Sequence, residues 1–227
     1  MRRIGLIGDV HTNDELLERA LVELRALGAE RSLCVGDITD GPGDVLRCCE
    51  LLSRERVASV RGNHDRWLLT DLSRLSPSAP PLPSSIVEQL HRLRDETPHF
   101  VEGYLTSLAT TLRVETPLGD ALLCHGLGDN DMASLLPEQE VDPRWHPELF
   151  ELQTDSALRL VLNGHSHRRM VRQVGALTIV NAGTLHREHE PGCVLIDFED
   201  RTVIWLDLSL DRTTQSILGA LPTLASL

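Results

Sequence analysis

"IGLIGDVHTNDELLERALVELRALGAERSLCVGDITDG", residues 4–41, decides the fold class. It opens with an apolar run that stops at Gly8-Asp9, and it ends on a second apolar run that stops at Gly36-Asp37. Between them Leu16, Leu17, Leu21, Leu24 and Leu27 recur at helical spacing, with Asn13 or Asp14 placed to cap the start and Gly28 the end. "DVLRCCELLSRE" (44–55) is again helical in period and leads to "VASVRGNHD" (57–65), a third run with a polar end. Strand, loop, helix, strand, repeated, predicts crossover units and a parallel sheet. In such a sheet the loops at the carboxyl ends of the strands open on one edge, so polar clusters far apart in sequence converge there.

The second half reads as strands: "TTLRVET" (110–116), "ALLCHG" (121–126), "LRLVLNGHSH" (158–167), "ALTIVNAGT" (176–184), "CVLIDF" (193–198) and "VIWLDLSL" (203–210). Turns at 116–120 and 199–201 join neighbours as hairpins. Parallel units followed by hairpins predict an α/β chain with a mixed sheet, or with two sheets packed face to face and helices outside. A length of 227 residues fits a single domain over 1–227. Two insertions are expected, near 71–103 and 129–157. In the first, "SRLSPSAPPLPSS" (73–85) cannot continue a strand or helix, and "SIVEQLHRLRDE" (85–96) fits an amphipathic helix capped by Ser84 or Ser85, placed to act as a lid. The tail after 211 carries no motif.

Composition narrows the function classes. Hydrophobic residues at 41% and charged residues at 25% are globular values. No apolar run approaches a membrane span, and "MRRIGLIGDV" lacks the features of a secretory leader. Cys34, Cys48, Cys49, Cys124 and Cys193 show no paired spacing, so a reducing, cytoplasmic setting is expected. A net charge of -12 argues against a broad nucleic-acid surface or an anionic membrane partner, yet bound cations would reverse the local field for a small anionic substrate.

Oxygen and imidazole donors follow five separate predicted strands: Asp9 and His11; Asp37 and Asp40; Asn63, His64 and Asp65; His125; His165 and His167. Singly, an aspartate or asparagine at such a position is as readily a turn residue, and a lone histidine a satisfied core residue. It is the coincidence of all of them at one edge that signals a site. Carboxylates and amide oxygens suit hard divalent cations, while neutral imidazoles suit Mn, Fe, Co, Ni and Zn. With one carboxylate shared, seven donors can hold two cations about 3.5 to 4 Å apart, an arrangement that activates water for attack at phosphorus.

The ordered series Asp9-x-His11, Gly36-Asp37-x-x-Asp40, Gly62-Asn63-His64-Asp65, His125-Gly126 and Gly164-His165-x-His167 resembles the calcineurin-like metallophosphoesterases over residues 4 to about 185. The resemblance implies a four-layer fold of two mixed β-sheets face to face, flanked by helices. It implies that Asp9, His11 and His167 hold one metal, that Asn63, His125 and His165 hold the other, and that Asp37 bridges them. The implied cofactors are two divalent ions, Mn foremost, with Fe, Zn, Ni or Co as alternatives. The implied reaction is hydrolysis of a phosphomonoester or phosphodiester by a metal-bridging hydroxide, with Asn63 positioning the phosphoryl group. His64 would stabilise the transition state or protonate the leaving oxygen, oriented by Asp40 or, in competition, by Asp65. His165 and His167, alternating along an extended segment, would face the same side.

One departure bears on substrate. The protein-phosphatase branch carries an arginine where this chain has Gly41. Arg66 is either a replacement cation for substrate or a structural arginine. The alternatives are a Ser/Thr protein phosphatase or dinucleoside polyphosphate hydrolase and, in a different class, a non-catalytic scaffold like the retromer subunit that resembles these enzymes. Asn181, Thr184 and His186 either line the site or, more readily, cap helices and form turns; Trp67 and Trp145 are pocket walls or, the better reading, core residues, and His146 and His189 are expected in solvent.

Overall fold

β1 (Arg3–Ile7) pairs in parallel with β2 (Arg31–Cys34), Ile4 opposite Arg31 and Ile7 opposite Cys34, and the crossover is α1 (Asp14–Ala26). Leu16, Leu17, Leu21 and Leu24 form the buried stripe of α1. Asn13 occupies the N-cap position, but its side-chain amide donates to the Val10 and His11 carbonyls at 3.2 and 2.9 Å instead of capping the helix. Gly28, just past the helix, has φ +79°, a backbone conformation that favours glycine. α2 (Val45–Arg54) is capped by Asp44, whose carboxylate accepts from the Arg47 amide, and it leads to the short parallel β3 (Ala58–Ser59).

The computed structural model describes residues 1–70, 97–209 and 211–222. The remaining elements are α3 (Asn63–Leu69), α4 (His99–Ser107), β4 (Thr111–Thr116), β5 (Gly119–Cys124), α5 (Pro147–Leu152), β6 (Leu158–Asn163), β7 (Met170–Val174), β8 (Leu177–Asn181), β9 (Gly192–Asp197), β10 (Thr202–Asp207) and β11 (Thr214–Ala220). They build two mixed sheets, ordered β11-β10-β9-β1-β2-β3 and β4-β5-β6-β8-β7. The expected two-sheet architecture is therefore present.

Strand alternation explains the layers. Ile4 and Leu6 of β1 join Val194 and Ile196 of β9 in a core shared with Val114, Leu123, Leu160, Leu162 and Val180 of the second sheet. Ile7, Cys193 and Leu195 face the other way, onto Leu17, Leu21 and Leu24 of α1, Leu51 and Leu52 of α2, and Val101 and Leu105 of α4. On the outer face of the second sheet, Val161, Ile179 and Leu177 pack with Leu149 of α5 and Leu135.

Several expectations need correction. The stretch after 211, which offered no motif, contains a strand: β11 pairs antiparallel with β10 as the sheet edge, exposed along most of its length and so without a clean alternating pattern to read. β7 was equally hidden, because "MVRQV" mixes charge into an edge strand. "GNHD" is not the tail of a strand; Asn63 opens α3. His146 is 1% exposed, not solvated, and Trp145 is 75% exposed, not core. The helix expected over 85–96 lies outside the described residues; of the lid segment, 99–103 belong to α4, which is packed into the core through Val101. No helix among the described residues is long and apolar enough to cross a membrane.

Candidate metal centre

The strand ends deliver the candidate residues to one edge through strained loops. His11, Asp37, Asp40, His165 and His167 have φ of 45°, 46°, 64°, 65° and 57°, in the left-handed region that costs a side-chain-bearing residue energy. Strained backbone of this kind gathers at functional sites in proteins generally. The loop geometry also corrects the reading of "NGHSH": β6 ends at Asn163, and the two imidazoles are aimed by a turn, with the Ser166 amide on the Gly164 carbonyl at 2.7 Å, not by strand alternation.

Two groups of potential ligands result among the described residues: Asp9, His11 and His167, and Asp37, His125 and His165. Within each group one donor atom per residue lies within 4.8 Å of the others. The hydrogen bonds behind them set which atoms face inward. The His11 Nδ1–H donates to the Asp40 carbonyl at 2.9 Å, and the His125 Nδ1–H to the Val35 carbonyl at 2.8 Å. Each ring therefore turns Nε2 toward the site, the usual backing of a metal-bound imidazole.

What those Nε2 atoms face is informative. His11 Nε2 meets His167 Nε2 at 3.1 Å. His125 Nε2 lies 2.9 Å from Asn63 Oδ1 and 3.2 Å from Asp37 Oδ2, and His165 Nδ1 lies 3.0 Å from the same Asn63 oxygen. Asp9 Oδ2 is buried, sits 3.0 Å from His167 Nε2, and receives no well-directed hydrogen bond. Lone pairs gathered at such distances need shared protons or cations between them. The buried, mixed oxygen and imidazole donor set fits divalent cations.

Asp37 stands between the groups. Its Oδ2 is 4.0 Å from His11 Nε2 on one side and 3.2 Å from His125 Nε2 on the other, while Oδ1 accepts the His64 amide at 2.9 Å. Burial opposes its ionisation, but His125, His64 and His11 outweigh burial and hold its carboxyl well below the usual range. Burial likewise opposes charge on His125, yet Asp37 pushes it up to about 10. A Cβ on Gly62 would lie 2.1 Å from Asp37 Oδ1, so the glycine before Asn63 is what allows α3 to approach this carboxylate.

His64 stands at the rim and is not a member of either group. Its Nδ1 is 2.6 Å from Asp40 Oδ2, and its Nε2 points inward, 4.0 Å from Asp37 Oδ2. Burial lowers the affinity of its ring for a proton, but the hydrogen bond to Asp40 and the charge of Asp37 together raise it above that of an ordinary histidine. Of the two competing orienting carboxylates, the structure places Asp40 on the ring. Trp67, half-buried, packs against the same ring, centroids 4.5 Å apart, and so stands at the site and not in the core.

Asp65 does something else. Fully buried, it accepts the Ile38 and Thr39 amides at 2.8 and 3.1 Å, the Thr39 hydroxyl at 3.2 Å and the Gly62 amide at 3.0 Å. It ties the loop bearing Asp37 to the start of α3. Asp65→Ala should strand three buried amides and cost about 3 kcal/mol or more, read as a lower urea midpoint. An unchanged midpoint would show that this carboxylate does not hold the loops together.

Arg66 makes a two-point ion pair with Asp131, at 2.6 and 3.0 Å. Asn181 donates to the Gly164 carbonyl at 2.7 Å, and the Thr184 hydroxyl to the Asp9 carbonyl at 2.9 Å, so both brace ligand loops. His186 lies edge-on to His11, centroids 5.7 Å apart. His189 is exposed, as expected, but its Nδ1 is 2.8 Å from His167 Nδ1.

Two stacked mixed sheets with paired donor groups at the strand ends define the architecture of the metallophosphoesterases. The chain belongs to the calcineurin-like phosphoesterase superfamily, whose domain matches residues 1–201. Over 66 residues, 29% of the chain, it is 35% identical to an uncharacterized protein of Methanocaldococcus jannaschii; the match spans 27% of that relative's length. The fold resembles that of the hypothetical protein PH1004 from Pyrococcus horikoshii OT3, with TM-score 0.72, 18% identity, and coverage of 93% of this chain and 90% of that one. It also resembles Vps29 from Entamoeba histolytica, with TM-score 0.52, 14% identity, and coverage of 96% and 99%.

Proposed function

We propose that the chain is a dinuclear metal-dependent phosphoesterase that hydrolyses a phosphomonoester or phosphodiester. The observation that carries this reading is the inward-facing set of lone pairs, with Asp9 Oδ2 buried and without a hydrogen-bond donor. In this reading Asp9, His11 and His167 hold one cation, Asn63, His125 and His165 the other, and Asp37 is shared. Bound there, the cations supply an acidified water as nucleophile and neutralise charge on the phosphoryl group. Manganese is the first candidate.

The protein's own part is positioning and proton supply. Asp40 holds His64 with Nε2 directed inward and favours its protonated form, so this ring delivers a proton to the leaving oxygen or a hydrogen bond to the phosphoryl group. Asn63, fixed at the start of α3, helps orient the phosphoryl oxygens. Arg66 contacts substrate only if Asp131 yields it. A Cβ at Gly41 would lie 2.0 Å from the His11 carbonyl oxygen, so an arginine does not fit there without a shift, which weighs against the protein-phosphatase reading.

The test is elemental analysis and turnover on one preparation. Loaded with manganese, the protein should carry two ions per chain and cleave p-nitrophenyl phosphate or its bis ester; two ions with neither substrate cleaved would favour the scaffold reading that the Vps29 likeness keeps in view. Phosphopeptides and dinucleoside polyphosphates in the same panel separate the remaining enzymatic alternatives.

A further inference from the structure

Against the first donor group lies an open groove of about 740 Å³ whose wall includes His167, Arg168, His189, Glu138 and Trp205. We infer that this groove is an anion subsite that receives a second phosphoryl group of the substrate, so that the enzyme prefers phosphoesters carrying two anionic groups. The inference rests on the metallophosphoesterase reading and deepens it.

Hydrogen-bond logic runs outward from the metal centre. His167 presents Nε2 to Asp9 Oδ2 at 3.0 Å and to His11 Nε2 at 3.1 Å, so as a ligand it keeps its ring proton on Nδ1. That proton is donated to His189 Nδ1, 2.8 Å away. Having accepted there, the neutral His189 carries its own proton on Nε2, at the other side of an exposed ring that lines the groove. The ligand geometry thus turns His189 into a fixed N–H donor beside the site.

Arg168 follows His167 directly and supplies charge. Its nearest acidic partner is Glu138, at 3.7 Å, with the two side chains 61% and 79% exposed, a loose contact that a phosphoryl group can displace. Arg169 lines the same groove but is held by two contacts, 2.9 Å from Glu190 and over the Trp205 ring, 4.8 Å from its centroid. Arg169 offsets the charge of Glu190, which also lines the groove, so Arg168 and His189 are the less committed donors and Glu138 is the carboxylate that competes for Arg168.

Calorimetric titration of the manganese-loaded protein tests this without turnover. The probes are alkane bisphosphonates over a short series of linker lengths, each compared with the alkyl monophosphonate of equal length. The best bisphosphonate should bind about tenfold more tightly than its partner, the scale of one charge-assisted contact. Arg168→Ala should remove that preference and leave monophosphonate binding unchanged, whereas Glu138→Gln should increase it. Equal binding of both series to the unaltered protein, or a preference that survives Arg168→Ala, overturns the subsite. A protein that shows the preference but cleaves no phosphoester would instead sink the enzymatic reading alone.

Discussion

Asp37→Asn should strip both donor groups of metal at once, with affinity at each falling by about 100-fold or more. Loss of a group that merely backs a ligand already costs about 10-fold to 100-fold, and Asp37 is closer than that. Its Oδ2 is 4.0 Å from His11 Nε2 and 3.2 Å from His125 Nε2, so one carboxylate faces both groups. An asparagine of the same shape keeps the hydrogen bond from the His64 amide but brings no charge to balance two dications. Elemental analysis after dialysis reads the result, with circular dichroism as the control for folding. A variant that retained two ions and full turnover would remove Asp37 from the bridging position.

His64→Ala should have the opposite signature: two ions retained, turnover lower by about 10²-fold to 10⁴-fold, the scale of a lost general acid. The ring lies edge-on to His11, centroids 5.1 Å apart, but offers no donor atom to either group, and its Nδ1 is committed to Asp40 at 2.6 Å. Asp40→Asn should give a smaller loss of the same kind, because the ring keeps its contact with Trp67 while losing the carboxylate that favours its protonated form. If His64→Ala emptied a metal position, the division between ligands and proton donor would be wrong.

The residues that meet in the two donor groups were legible because oxygen and imidazole side chains, each straight after an apolar run, have few other reasons to recur five times. The crossover half was legible because α1 and the strands around it are buried in a regular period. β7 and β11 were not, since edge strands meet solvent and lose that period. Trp145 and His146 show a different limit. Residue type predicts average burial, but the loop before α5 turns the indole out and the imidazole in.

By itself, then, the sequence determined the fold class, the order of the donor loops and the types of side chain they carry, because side-chain period and ligand chemistry are local properties. Tertiary structure alone decided who meets whom. It put Asp40, not Asp65, on His64, committed Arg66 to Asp131, and brought His189 to His167 from beyond two intervening strands. Those pairings depend on sheet register and on loop conformations that the surrounding packing imposes, and no spacing along the chain encodes them.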